Sequence, residues 1–87
     1  MTRRFVLTPA ARNDLEEILT EVSDDNPDSA EVLHESFLDA FRTLGRTPGL
    51  GHYHDELMSR EYRFWNVLRF VVVYRWRPRP IQVVRVV

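Results

Sequence analysis

The densest group of chemically capable side chains lies late in the sequence, where arginines alternate with aromatic residues. The members of this group are Arg63, Phe64, Trp65, Arg69, Phe70, Tyr74, Arg75, Trp76 and Arg77. On a sheet, such a pattern can contact phosphates through guanidinium groups and stack nucleobases on the rings. The same pattern arises when aromatic residues fill a core and the arginine stems lie over them. The core interpretation suits Phe70 and Tyr74. It fits Trp65 and Trp76 less well.

The histidines are the second group that could do chemistry. His52 and His54 form a His-x-His pair, but a zinc site needs three or four ligands in a fixed geometry, and the chain has no cysteine. We therefore predict no metal site, and we expect His34 at the boundary of a helical apolar stripe. The sequence contains no glycine-flanked serine elbow, phosphate-binding loop or dinucleotide fingerprint, so it predicts no cofactor.

Charge is divided unevenly along the chain. Its 12 basic residues are all arginine, which excludes a lysine general base or Schiff base. Residues 1–45 carry a net charge of −6 and residues 46–87 carry +5, within a total of −1. This division indicates a face suited to an anionic partner. The alternative, which we weigh equally, is that the arginines solvate the edges of a sheet.

Length and composition limit the class of protein. A chain of 87 residues with 44% hydrophobic and 29% charged residues is sufficient for one globular domain. The longest apolar run, residues 70–74, is too short to span a bilayer, and the N-terminus does not resemble a signal peptide. We expect a soluble cytoplasmic protein with no membrane partner.

The first half of the sequence predicts a short strand at residues 4–7 and then two helices. Thr8 and Asn26 are suitable N-caps, and each is followed by proline at the first helical position. Gly45 is predicted to be the C-cap of the second helix. Because the break between the helices is short, they should form an antiparallel hairpin.

The last third of the sequence predicts strands. Residues 63–67, 70–76 and 81–87 are rich in β-branched and aromatic residues, and a proline-containing turn at 77–80 separates the last two runs. The order β-α-α-β-β-β predicts an α+β domain with an antiparallel sheet and an N-terminal helical hairpin packed on one face. The first strand should join this sheet. Alternation leaves open which face of the sheet meets the helices.

The order of these features resembles the ParE/RelE superfamily of toxins from bacterial type II toxin–antitoxin systems. The matching segments are the opening at residues 4–18, the start of the second helix at Pro27, the loop with Pro48 and Gly51, the strand 70–75 that ends in Tyr-Arg, and the final strand 81–86. The resemblance implies one toxin domain over residues 1–87 and a cognate, ParD-like antitoxin as partner. The superfamily usually continues into a short basic tail, which has no counterpart after Val87.

The two branches of the superfamily imply different functions. RelE-like members are ribosome-dependent ribonucleases that use lysine and a third-strand arginine, whereas this sequence has no lysine and has Val71 at the arginine position. ParE-like members inhibit DNA gyrase and have no recognised catalytic residues. The opening from Thr8 to Ala11 and the Tyr74-Arg75 ending favour the ParE branch. The alternatives are a RelE-like mRNA endoribonuclease and a non-toxic relative that only binds an antitoxin.

These interpretations assign two sets of site residues and no catalytic residue. The predicted target-binding arginines, all from the half that carries +5, are Arg60, Arg63, Arg69, Arg75, Arg79 and Arg85. The alternative is that Arg75 and Arg85 form ion pairs with acids such as Glu61 or Asp55. Trp65 and Trp76 are predicted to bind the antitoxin. We expect no sequence-specific DNA binding by this chain alone, and a role in maintaining a plasmid or locus.

Overall fold

The computed structural model describes residues 4–53 and 60–87. In these ranges the chain forms two long helices and four strands in the order β-α-α-β-β-β, which confirms the predicted α+β fold. The elements are β1 (Phe5–Leu7), α1 (Pro9–Asp25), α2 (Pro27–Arg46), a 3-10 turn (Pro48–Leu50), β2 (Tyr62–Val67), β3 (Phe70–Arg75) and β4 (Ile81–Val86). None of the described helices combines the length and the apolar character that a membrane span requires.

Both helices begin at the predicted caps. The Thr8 hydroxyl accepts a hydrogen bond from the Ala11 amide at 3.2 Å, and the Asn26 side chain accepts hydrogen bonds from the amides of Asp28 and Ser29 at 3.1 and 3.2 Å. These side chains satisfy amides that have no partner within the first helical turn. Since Asn26 alone separates α1 from α2, the chain reverses there and the helices form the predicted hairpin.

Gly45 does not end α2, so its predicted role as C-cap is wrong. The helix continues to Arg46, and the Thr47 amide still donates to the Thr43 carbonyl at 2.9 Å. A Cβ atom at position 45 would lie 2.7 Å from both the Cβ and the carbonyl oxygen of Arg4. Glycine is therefore required because the chain entering β1 packs directly against the α2 backbone.

The strands form one sheet with the order β1-β4-β3-β2 within the described residues. The last three strands make the predicted antiparallel meander. The first strand joins the sheet as expected, but it is parallel to β4, with Phe5 opposite Ile81, so the whole sheet is mixed. A parallel neighbour requires a long crossover connection, and the helical hairpin supplies it.

The core lies between the helical hairpin and one face of the sheet. Val72 and Tyr74 of β3 are fully buried there, together with Phe37 and Phe41 of α2. The helices therefore pack against the sheet face that carries Phe70, Val72 and Tyr74, a choice that alternation alone left open. On the opposite face Phe64 and Val73 are also buried, at 9% and 6% exposure, outside this core cluster.

The start of α1 covers the part of the β4 edge that β1 does not pair with. Because β1 has only three residues, it pairs with β4 no further than Val83. The Thr8 hydroxyl donates to the Val84 carbonyl at 3.1 Å, and the Asp14 carboxylate accepts a hydrogen bond from the Val86 amide at 2.9 Å. These side chains satisfy backbone groups that an exposed strand edge would leave unpaired.

Candidate functional site

One end of the fold collects arginines from five different segments. At this end β1 and β4 begin side by side, β3 ends opposite the start of β2, and the end of α2 touches Arg4. We call this region the basic end. Its arginines are Arg4, Arg46, Arg60, Arg63, Arg75, Arg77 and Arg79. Glu61 is the acidic residue described there, and its Oε2 atom lies 3.6 Å from an Nη atom of Arg75, a contact of the kind that the alternative interpretation of Arg75 expected.

The structure brings four of the six predicted target-binding arginines to the basic end: Arg60, Arg63, Arg75 and Arg79. Arg69 lies in the β2–β3 turn, six residues before Arg75, which places it roughly 20 Å away along the strand. Arg85 lies beside α1. Target binding by the six residues stays a prediction. Sequence reasoning did not include Arg4 and Arg46 because only the tertiary fold brings them here.

Arg85 is bound to α1. Its Nε atom donates to Asp14 Oδ2 at 2.7 Å and one Nη atom donates to Oδ1 at 3.1 Å, rather than to Glu61. Asp55, the other acid proposed from sequence, lies outside the described residues. The hydrogen bond from Arg85 lowers the pKa of Asp14 even though burial opposes this, and the same contact raises the pKa of Arg85. Arg85 therefore fastens α1 to β4.

A ladder of alternating cations and aromatic rings crosses the basic end. The Arg60 guanidinium carbon lies 4.6 Å from the centre of the Tyr53 ring, and that of Arg63 lies 4.2 Å from the same ring. Arg63 also lies 4.6 Å from the centre of the Trp76 ring, and Arg77 lies 4.7 Å from it. We call these five residues the cation–aromatic ladder. Attraction between a cation and a ring face favours this order.

Arg63, at the centre of the ladder, fixes the loop that precedes β2. One of its Nη atoms donates to the carbonyls of Gly51 and Gly49 at 2.7 and 3.1 Å, and the other donates to the Tyr53 hydroxyl at 2.9 Å. The indole N–H of Trp76 donates to the Arg60 carbonyl at 3.1 Å. Arg60 and Arg63 are thus held by contacts between segments, whereas Arg77 contacts the ring of its neighbour Trp76.

Tyr74 fastens the same loop from inside the core. Its buried hydroxyl donates to the Pro48 carbonyl at 2.6 Å and accepts a hydrogen bond from the Gly51 amide at 2.9 Å. Burial raises the pKa of Tyr74, which keeps the phenol protonated at neutral pH. A Cβ atom at position 51 would lie 2.5 Å from the Tyr74 hydroxyl oxygen, so only glycine fits this approach.

The two tryptophans predicted to bind the antitoxin both pack partly against the core. Trp65 stacks with His52 at 6.2 Å between ring centres, and the His52 backbone pairs with that of Phe64 through two hydrogen bonds of 2.7 Å. Trp76 belongs to the cation–aromatic ladder. Antitoxin binding by these residues remains a prediction.

The histidine pair is divided between described and undescribed parts of the chain. His54 lies outside the described residues, and His52 is engaged with β2. Within residues 4–53 and 60–87, no cluster of three or more histidine, cysteine or acidic side chains could hold a metal ion. The charged groups described at the basic end are mostly guanidinium donors, which suit hydrogen bonds to an anionic partner.

Residues 5–87 match the family described as the ParE toxin of the type II toxin–antitoxin system, parDE. The match spans both helices and every described strand. None of the curated proteins compared with the chain matches it.

Proposed function

Since the chain belongs to the ParE family of toxins of type II toxin–antitoxin systems, we propose that it inhibits DNA gyrase and that a ParD-like antitoxin neutralises it. An antitoxin partner follows from the family, whereas its identity and the target are parts of the proposal. The toxin would act in the cytoplasm, where gyrase is found, and would maintain a plasmid or locus.

The observation that carries the choice of gyrase is the hydrocarbon at position 71 of β3. Val71 is half-buried, and its amide and carbonyl pair with Val87 at 2.7 and 2.9 Å. A RelE-like ribonuclease needs a group that deprotonates the ribose hydroxyl and a cation that stabilises the charge on phosphorus in the transition state. Val71 can supply neither, and the chain has no lysine that could replace it.

The side chains of the basic end also favour binding over catalysis. Arg63 is engaged by loop carbonyls and two rings, and Arg75 faces Glu61. Arginine stays protonated at neutral pH, so these side chains can donate hydrogen bonds and attract anions but cannot act as a general base. A surface of this kind fits gyrase bound to DNA, which presents many negative charges.

Two assays run on the same preparation test this proposal. In a gyrase supercoiling assay, we expect the purified chain to block supercoiling and the antitoxin to restore it. In primer extension on translating ribosomes, we expect no codon-dependent cleavage of mRNA. A chain preincubated with excess antitoxin is the matched control for both assays.

Each contrary outcome identifies a different function. Codon-dependent cuts without gyrase inhibition would show a RelE-like endoribonuclease and overturn the proposal. A chain that binds the antitoxin but affects neither gyrase nor mRNA would be a non-toxic relative.

A further inference from the structure

We propose that the basic end binds duplex DNA directly through backbone phosphates and without reading base sequence. The choice of DNA rests on the proposed action on gyrase, whose substrate is duplex DNA. The binding surface is formed by Arg77, at the end of the cation–aromatic ladder, and by Arg79 in the β3–β4 turn that continues from it.

The first support is an excess of positive charge. Seven arginines from five segments lie at this end, and Glu61, the acid described among them, is already engaged by Arg75. Arg77 and Arg79 are exposed and have no ion pair within the described parts of the chain. Clustered guanidinium groups repel each other, and a bound polyanion offsets this repulsion. Binding also releases the counterions that had been condensed on the polyanion, which adds to the affinity.

The second support is that the aromatic rings of the ladder are already occupied. Two guanidinium carbons lie 4.2 and 4.6 Å from the centre of the Tyr53 ring, and two lie 4.6 and 4.7 Å from that of Trp76, so a nucleobase stacking on either ring would compete with these cations. A guanidinium stacked on a ring still directs its N–H groups outward in its own plane, where phosphate oxygens can accept them. The ladder therefore favours phosphate contact over base stacking, and phosphate contacts carry no sequence information.

The third support is the restricted backbone of the turn. Arg79 lies between Pro78 and Pro80, whose rings fix the φ angle on both sides of it. Arg77, next to Pro78, is held over the Trp76 ring at 4.7 Å. Because these positions lose little backbone freedom on binding, a larger share of the electrostatic attraction remains as affinity.

Fluorescence anisotropy with labelled duplexes tests this proposal. Two 20-base-pair duplexes of unrelated sequence and one RNA duplex are titrated with the antitoxin-free chain over a series of salt concentrations. We expect equal affinity for both DNA sequences, with a dissociation constant of about 10⁻⁴ to 10⁻⁶ M, as for other non-specific DNA binders. Affinity should fall steeply with salt. The double variant Arg77→Gln/Arg79→Gln should reduce the slope of log K against log salt by about 2.

The matched control is Arg12→Gln/Arg42→Gln, which removes the same charge from exposed positions on α1 and α2. This control should bind DNA like the wild-type chain. If the double variant fails to fold, as judged by circular dichroism, Arg79→Gln alone is used, since Arg79 makes no described side-chain contact. No binding to either duplex DNA, equal losses in variant and control, or binding to RNA alone would each overturn the proposal.

Gyrase assays on the same samples separate this inference from the proposed function. Wild-type chain that binds DNA through the basic end but leaves gyrase active would overturn only gyrase inhibition. A double variant that has lost DNA binding but inhibits gyrase fully would show that inhibition does not use this contact, and the link between the two proposals would fail.

Discussion

The two ends of the molecule are built in different ways. At the basic end, Tyr74 reaches Pro48 and Gly51, which are 26 and 23 positions away in the sequence. At the hairpin end, where α1 meets α2, the described side-chain hydrogen bonds are those that the Asn26 side chain accepts from the amides two and three positions further on. The length of α2 places these ends roughly 30 Å apart.

Their charges differ in the same way. The acidic residues of the hairpin end, among them Asp24, Asp25 and Asp28, are exposed on helix surfaces. These side chains interact with water. Asp28, in the first turn of α2, also interacts favourably with the positive end of the helix dipole. The arginines of the ladder are instead fixed by rings and carbonyls. We expect the basic end, rather than the solvated helix faces, to contact a partner, and the following predictions test this difference.

Gly51→Ala should have the largest effect on stability. The added Cβ atom would lie 2.5 Å from the Tyr74 hydroxyl oxygen and 3.0 Å from Arg63 Cβ, so both anchors of the loop must move. Overpacking of this kind should lower the free energy of unfolding by about 3 kcal/mol. The measurement is urea denaturation followed by circular dichroism.

Gly49→Ala is the matched control for that substitution. A Cβ atom at position 49 meets nothing within 4 Å, so the stability should be almost unchanged. Equal losses for the two alanine variants would contradict the close approach of Tyr74 to the loop.

Tyr74→Phe should have the next largest effect. It removes the hydroxyl that bonds to Pro48 and Gly51 but keeps the ring in the core. Leaving a buried carbonyl and a buried amide without this partner should lower the free energy of unfolding by about 2 kcal/mol. Hydrogen exchange of the Gly51 amide should also become faster, and an unchanged exchange rate would argue against the anchor.

Asp14→Asn tests the contact of α1 with Arg85 and the Val86 amide of β4, and the stability of the wild-type chain should depend on pH through this contact. The pKa of Asp14 is lowered from its ordinary value of 3.8 by the hydrogen bond from Arg85. A carboxylate whose pKa is lower in the folded state stabilises the fold at pH values above its ordinary pKa. This stabilisation is lost as the pH falls through the folded-state pKa. At pH 7 the variant should lose about 1–2 kcal/mol because the charge-assisted hydrogen bonds are gone.

Urea denaturation of the wild-type chain and the Asp14→Asn variant at pH 7 and pH 3 checks this prediction. The difference between them should shrink at pH 3, which lies below the ordinary pKa of 3.8, because the unfolded wild-type chain binds a proton at Asp14 more readily than the folded chain does. A difference that stays constant would show that the charge of Asp14 does not contribute.

Asn26→Ala should have the smallest effect of these substitutions, about 1 kcal/mol, because it removes a single exposed N-cap. It should also leave gyrase inhibition unchanged, since the hairpin end lies far from the basic end. A loss of inhibition in a folded variant would place the functional surface at the hairpin end instead.

The sequence predicted features that are set by neighbouring residues. The caps at Thr8 and Asn26, the order of the elements and the three-stranded meander depend on local spacing and composition, and they are confirmed. The prediction for Gly45 was wrong. Glycine after an apolar stripe usually ends a helix, whereas here its lack of a side chain leaves space for Arg4. That contact joins residues 41 positions apart and leaves no local signal.

The basic end could be predicted only in part for the same reason. The alternation of arginines with aromatic residues indicated Arg63 and Trp76, and the structure joins them in one ladder. Charge alone grouped Arg69 with the other arginines, although the predicted strand 70–76 already separated it from Arg75 along the chain. Alternation could not show that Arg60 and Arg63 both contact the Tyr53 ring.

The most direct test of the account is the concentration of chain that halves gyrase supercoiling, measured for four proteins. These are the wild type, Arg77→Gln/Arg79→Gln, the control Arg12→Gln/Arg42→Gln, and Arg69→Gln from the opposite end of β3. Two exposed contacts together contribute about 1.4 kcal/mol, so the first double variant should require roughly tenfold more protein. The control and Arg69→Gln should match the wild type. Equal inhibition by all four, with unchanged melting temperatures, would contradict the claim that the basic end acts on gyrase.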